Sequence, residues 1–143
     1  MKVVFELNCI DGYPPVQYEM LNAERISDIQ FRIKNVPFFT PNISYDDIVV
    51  ANEIDSGHAD FIYVEENSSY TSISIIMLDE SIGNTIKKIF DGKNCVMEYG
   101  EFESIHVFSV AIPSSTPYCD LKKILERYEQ SKQISFSELA LAH

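Results

Sequence analysis

The sequence predicts an α+β fold in a single domain, with a β-rich, barrel-like half over residues 1–68 and a β-α-β-β-α half over residues 69–143. Three observations carry this. Ile29, Phe31 and Ile33 alternate with Gln30, Arg32 and Lys34, which is the period of a half-buried strand. Other short apolar runs in the first half are bounded by Gly, Pro, Asp and Asn, the spacing of a small barrel or strongly curved sheet. Beyond residue 80 the period changes: Ile82, Ile86, Ile89 and Phe90 fall at i, i+4, i+7 and i+8, one stripe of an amphipathic helix.

Lys2 to Asn8 reads as the first strand and Val16 to Glu24 as the second. The turn Asp11-Gly12-Tyr13-Pro14-Pro15 separates them, with Gly tolerating positive φ and the prolines stopping any helix. The alternating Ile29–Lys34 segment is the third strand. Asn35 to Asn42 holds two prolines and two phenylalanines, an ordered loop with apolar anchors. Asp46-Asp47 turns the chain into a strand through Ala51, Asp55-Ser56-Gly57-His58 makes a hairpin turn, and Asp60 to Glu65 returns as a strand.

In the second half, Tyr70 to Leu78 is a strand with Ile73, Ile75 and Met77 on one face. Asp79 to Asp91 is a helix that Gly92 stops. Cys95 to Tyr99 and Ile105 to Ile112 are strands joined by the acidic turn Gly100-Glu101-Phe102-Glu103-Ser104. Thr116 and Pro117 fit an N-cap and first helical position, ahead of a helix with the stripe Leu121, Ile124, Leu125 and Tyr128. Ser135-Phe136-Ser137-Glu138 fits a capping box before a last short helix or turn. Strand, helix, strand, strand, helix is the order of a ferredoxin-like half-sandwich, with helices on one face of an antiparallel sheet.

The 143 residues hold 22 acids against 11 bases, a formal net charge of −11. Residues 35–86 contain no Lys or Arg and carry −9 through Asp46, Asp47, Glu53, Asp55, Asp60, Glu65, Glu66, Asp79 and Glu80. A field of that sign repels phosphate backbones and anionic membranes and attracts cationic proteins. The expected partner is therefore a basic protein, with neither nucleic acid nor membrane. No apolar run approaches the roughly 20 residues that span a bilayer, and Met1 to Leu7 reads as a strand start where a signal peptide would need a longer apolar region. A cytoplasmic location is the expectation. Cys9, Cys95 and Cys119, without a C-x-x-C, read as reduced and mostly buried small hydrophobes.

Chemistry-bearing patterns are sparse. The chain has no G-x-S-x-G, no H-E-x-x-H, no EF-hand loop and no glycine-rich phosphate loop. The adjacent pairs Asp46-Asp47 and Glu65-Glu66 point to opposite faces of an extended chain, so adjacency alone builds no metal site. No cofactor, metal or catalytic residue is expected. An enzymatic alternative would rest on His58 in the hairpin turn, His106 at a strand start or His143 at the last position. The basic clusters Lys87-Lys88 and Lys122-Lys123 with Arg127 read as solvated helix faces.

Asp11-Gly12-Tyr13-Pro14-Pro15 with Glu19, then Asn35-Val36-Pro37-Phe38-Phe39, then Ile43-Ser44-Tyr45-Asp46-Asp47-Ile48-Val49 give the patterns D-G-Y-P-P, N-x-P-F and I-S-x-x-D-x-V. In these the chain resembles, over nearly its whole length, an uncharacterised bacterial domain-of-unknown-function family. The resemblance implies a closing segment such as Phe136 to His143 but no established activity. The motif residues themselves are turn-makers and apolar anchors, with Asp47 capping the turn before a strand. The hairpin at Asp55–His58 is longer than the resemblance implies, the mark of a surface feature.

Composition and charge together point to an acidic binding module that neutralises a basic protein. Its most concrete form is an immunity protein blocking a bacterial nuclease toxin, by analogy of composition. The expected partner-binding residues are Asp46, Asp47, Glu53, Asp55, Asp60, Tyr63, Glu65 and Glu66, joined by Glu101 and Glu103 from a neighbouring turn, with Tyr45 and Tyr70 as further anchors. The alternative is a small regulatory or ligand-binding domain without enzymatic activity, which requires a concave apolar pocket between the two halves.

Overall fold

The computed structural model describes residues 1–142; His143, one of the three histidines singled out above, lies outside the described residues. Five strands close a barrel in chain order: β1 (Lys2–Glu6), β2 (Tyr18–Arg25), β3 (Gln30–Ile33), β4 (Ile48–Asp55) and β5 (His58–Glu66). Consecutive strands run antiparallel, and five is odd, so the strand that closes the ring meets the first one parallel. That closing ladder pairs only Lys2↔His58, Val3↔Ala59 and Val4↔Asp60. Val3, Phe5, Leu21, Phe31, Ile33, Ile43, Val49, Ala51 and Ala59 fill the interior. The alternation expected from Ile29 holds for Phe31 and Ile33, whereas Ile29 precedes β3 with its side chain exposed.

The second sheet is built from β6 (Tyr70–Met77), β7 (Val96–Phe102), β8 (Ile105–Pro113) and β9 (Ile134–Ala140). A 3₁₀ turn at Glu80–Ile82 leads into α1 (Gly83–Ile89), and α2 (Tyr118–Gln130) precedes β9. The strand order β7-β8-β6-β9, antiparallel throughout, completes the ferredoxin-like β-α-β-β-α-β arrangement.

Three local expectations are corrected. Ser135–Glu138 opens no helix; it lies in β9, which pairs with β6 from Met77↔Ile134 to Ser72↔Ala140. Ile134 is buried and Phe136 half-buried against the helix-covered core, while Ser135 and Ser137 are exposed. That period of two outweighs a four-residue cap pattern. Thr116 does not cap α2: its hydroxyl donates to the Lys93 carbonyl at 2.6 Å, and Pro117 holds the cap position. The acidic turn is tighter than expected, because β7 continues through Gly100, Glu101 and Phe102 and leaves Glu103, at φ 57°, and Ser104 to reverse the chain. The cysteines also depart from expectation. Cys9 and Cys119 are exposed and Cys95 is half-buried, its thiol pushed up to about 11 mainly by burial.

The second sheet is covered on both faces. Against the helices lie Ile73, Ile75, Met77, Phe108, Val110 and Ile112, packed with Leu121 and Leu125. On the other face Val107, Ile76, Phe102 and Ile105 meet Leu7, Phe38 and Phe39 from the barrel side. The 35–40 loop is the junction. Glu98 on β7 accepts from the Val36 amide at 2.6 Å and the Asn35 side chain at 3.2 Å, and the Ser109 hydroxyl donates to the Val36 carbonyl at 3.2 Å. From the barrel, Glu19 on β2 accepts from the Phe38, Phe39 and Thr40 amides at 2.6, 3.1 and 2.9 Å and from the Thr40 hydroxyl at 2.6 Å. Gly100 leaves room for aromatic packing: a Cβ there would sit 2.8 Å from the Phe102 ring and 3.0 Å from that of Phe38.

Candidate interaction surface

Residues 1–68 carry twelve Asp and Glu against four Lys and Arg, so −8 of the −11 belongs to the barrel and its loops. The fold uses these acids in three ways. Two are buried and structural: Glu19, described above, and Asp47, which accepts from the Ser44 amide at 2.8 Å and the Ser68 amide at 2.7 Å. Burial is the largest influence on Asp47 and raises its carboxyl above the ordinary 3.8. Asp47 is only 2% exposed, which removes it from the expected partner-facing set.

A second group is engaged locally. Asp46 pairs with Lys34 at 2.7 Å and Glu53 with Arg25 at 2.7 Å. Glu65 accepts from the Gln30 side chain. Asp55 accepts from the Gly57 amide at 2.8 Å and meets His58 Nδ1 at 2.9 Å; these contacts, the amide first, hold its carboxyl below the ordinary value. Asp60 and Glu66 form the third group together with Glu6, Asp11, Glu24 and Asp28, exposed and without an ion-pair or side-chain hydrogen-bond partner among the described residues.

The remaining expected residues divide. Tyr63 is exposed on β5, opposite Val50. Tyr45 and Tyr70 are not free anchors: their rings pack edge to face at 5.3 Å, and Lys34 lies 5.0 Å over Tyr45. Glu101 and Glu103 belong to the β7–β8 hairpin of the second sheet. Glu101 accepts from the Tyr99 hydroxyl at 3.2 Å, on the sheet face turned away from the barrel. The barrel acids and this pair therefore do not form one patch.

On the barrel wall the outward pattern brings further residues together. Val4 on β1 lies opposite Met20 on β2 and beside Asp60 on β5, which lies opposite Asn52 on β4. One pleat further on, Glu6 pairs with Tyr18. Val4, Glu6, Tyr18, Asp60 and Phe61 line a groove of about 480 Å³. Tyr18 in its lining, Met20 opposite Val4, and Ile62 and Tyr63 further along β5 are each roughly half exposed. Sequence reading named Asp60 and Tyr63 but missed Glu6, Tyr18, Met20 and Ile62. The available signal was that alternation along β1 and β2 turns Val4, Glu6, Tyr18 and Met20 outward once Val3, Phe5 and Leu21 are assigned to the interior. Apolar side chains flanked by unpaired carboxylates suit a partner with lysines or arginines beside apolar contacts.

Two other concavities bear on the ligand-binding alternative. At the junction of the halves, where that alternative places its pocket, a cavity of about 210 Å³ is lined by Val16, Leu21, Val36, Phe38, Phe39 and Phe102 among others. It falls below the roughly 300 Å³ of ordinary ligand sites. A larger cleft of about 540 Å³ opens beside α1, with Met77 and Phe108 among its apolar lining and Glu80, Lys87, Tyr99, Glu101 and His106 among its polar lining. There His106 Nε2 lies 2.8 Å from Glu80, and its Nδ1 meets the Tyr99 hydroxyl. Burial, then the Glu101 contact, raises the Tyr99 phenol, so it keeps its proton. His58, in contrast, opens β5 away from any such cleft, and its side chain meets Asp55 of the neighbouring turn. No helix among the described residues is long and apolar enough to cross a membrane.

A family model described as a domain of unknown function, DUF4265, matches residues 19–136. No curated protein matches the chain. Among solved structures, the chain is similar to the crystal structure of a hypothetical protein from Neisseria gonorrhoeae, with 26% sequence identity and a TM-score of 0.79 over 99% of this chain and 94% of the other.

Proposed function

The chain belongs to the DUF4265 family of unknown function, and from that premise we propose that it is a non-enzymatic binding module whose barrel wall takes up a basic protein. The observation that carries this reading is the groove between β1, β2 and β5, where Glu6 and Asp60 flank Val4, Tyr18 and Phe61. Surface ion pairs add little affinity, but carboxylates free of internal partners steer a cationic protein and select against acidic ones. Exposed Tyr18, Met20, Ile62 and Tyr63 supply the apolar anchors that give such a contact its residence time. The most concrete form of this role is immunity against a basic nuclease toxin in the cytoplasm, which the acidity of the chain supports.

The test is retention of a basic nuclease domain on the immobilised protein at low and high salt. Retention at low salt, released at high salt and abolished by Asp60→Lys with Glu66→Lys, is the expected result. Glu126→Lys, on the exposed side of α2, should leave it unchanged. Retention indifferent to the double reversal overturns the reading. Co-expression with a toxin encoded in the neighbouring reading frame extends the test, since an immunity protein restores growth.

The second reading, a ligand-binding domain, is favoured by the cleft beside α1, whose volume of about 540 Å³ suits a small molecule. His106→Ala changes ligand uptake on this reading and leaves basic-protein retention untouched.

A further inference from the structure

The barrel is closed by a ladder of three residue pairs between β1 and β5. The β1–β5 ladder ends at Val4↔Asp60, yet β1 continues through Phe5 and Glu6, and β5 continues from Phe61 to Glu66. Past Asp60, β5 has a ladder only with β4. Its other edge, over six residues, has no strand beside it among the described residues. The groove lies where β1 and β5 part.

Unpaired edges invite a further strand, and folds commonly blunt them with lysine, proline or a cover. Phe61–Glu66 contains neither lysine nor proline, and Ile62, Tyr63, Glu65 and Glu66 are exposed along it; two register shifts against β4, at Ile62 and Glu65, are the only irregularities the ladder shows over these residues. A second copy of this chain is a poor occupant, because it would bring another net charge of −11 and set Glu65 and Glu66 against like charges. A strand bearing lysine or arginine at alternate positions meets the opposite sign. Its side-chain stems would lie along Val4 and Tyr18, with their charges toward Glu6 and Asp60.

We propose that an extended, lysine- or arginine-rich segment of the partner adds as a strand to the free edge of β5, with one side chain seated in the groove between Glu6 and Asp60. This rests on the reading of the barrel wall as a basic-protein site and names the form the partner takes there. Six residues of β5, two of them at register shifts against β4, offer an edge shorter than the roughly 20 Å of a regular strand, enough for a segment of about four or five residues.

The test uses the full chain and three synthetic six-residue peptides of alternating lysine and valine. One is unmodified, one is N-methylated on the odd amides and one on the even amides, which preserves charge but removes donors from one edge at a time. The unmodified peptide should bind at low salt and slow hydrogen exchange of amides within Phe61–Glu66 about tenfold or more at saturation. One of the two methylated peptides should bind about tenfold more weakly, a loss of about 1.4 kcal/mol. Asp60→Lys should weaken the unmodified peptide similarly. Equal affinity for all three peptides, or binding that leaves the β5 amides unprotected, overturns strand addition while the charge reading stands. Failure of the unmodified peptide to bind at low salt also overturns it. The proposed function itself falls only if basic-protein retention ignores the Asp60 and Glu66 reversals.

Discussion

Glu19 and Asp47 are acids that the fold has turned inward, each satisfied by backbone amides and not by a cation. Glu19 takes four donors, three of them amides of consecutive residues in the junction loop. Glu19→Gln places an NH₂ group among those donors. It should lower the unfolding free energy by about 2–3 kcal/mol, since bonds to a charged acceptor are the stronger kind, read as a shifted denaturant midpoint. Asp47 makes the pH prediction. Its folded carboxyl titrates above the ordinary 3.8 because burial penalises the charge. The folded protein therefore holds that proton more tightly than the unfolded chain. Stability from this group is fully present below the unfolded value and declines as pH rises through the folded one. Asp55 has the opposite sign: lowered by the Gly57 amide and His58, it stabilises above the unfolded value and loses that contribution as pH falls through its folded one. Carboxyl carbon NMR should place the Asp47 midpoint above 3.8 and that of Asp55 below it. The sequence pattern already singled out Asp47 as the cap of its turn, and the Ser44 amide bond is that cap, but the pattern did not show that Asp47 would be buried and Asp46 left to pair with Lys34. That difference arises because the Ser68 amide, 21 residues away, also converges on Asp47.

At the scale of elements, the strands and helices of the chain were legible wherever a period repeated at least twice. Phe31 and Ile33 in β3, Ile73, Ile75 and Met77 in β6, and the helical stripes of α1 and α2 are such cases. β9 was not legible, because Ser135 and Glu138 satisfy a helix-start pattern as well as a strand, and only the open flank of β6 decides between them. The reach of β7 through Gly100 was hidden for a similar reason. Glycine beside two acids reads as a turn, whereas here its missing side chain admits the rings of Phe38 and Phe102. Gly100→Ala should therefore destabilise the protein by about 1–3 kcal/mol, the range for forcing a methyl group into a packed site. Thermal unfolding measures it, and a loss of the aromatic near-ultraviolet signal should accompany it.

For the whole molecule, charge was legible in amount and in sequence position but not in space. The 52-residue stretch without Lys or Arg carries nine acids. It did not reveal that Asp60 would stand beside Val4 and near Glu6, because that neighbourhood exists only after a strand from residues 2–6 meets one from residues 58–66. A net charge of −11 on a chain of this size opposes its own compaction. The melting temperature should rise as sodium chloride is added from low ionic strength toward physiological levels, where the screening length falls to about 8 Å. A melting temperature that falls over this range would mean that the internal pairs Arg25–Glu53 and Lys34–Asp46 outweigh the repulsion.

The order β7-β8-β6-β9 has a consequence for how the protein is made. β6, nearly all of it buried, lies between β8 and β9, which follows both of them in the chain. While a ribosome adds α2 and the residues leading to Ile134, one flank of β6 stays bare. A chain that has released β8 from the ribosome but not yet β9 carries an adhesive half-sheet. Slower translation or scarce chaperone across that interval should lower the soluble yield of the protein, read by comparing soluble fractions at equal expression.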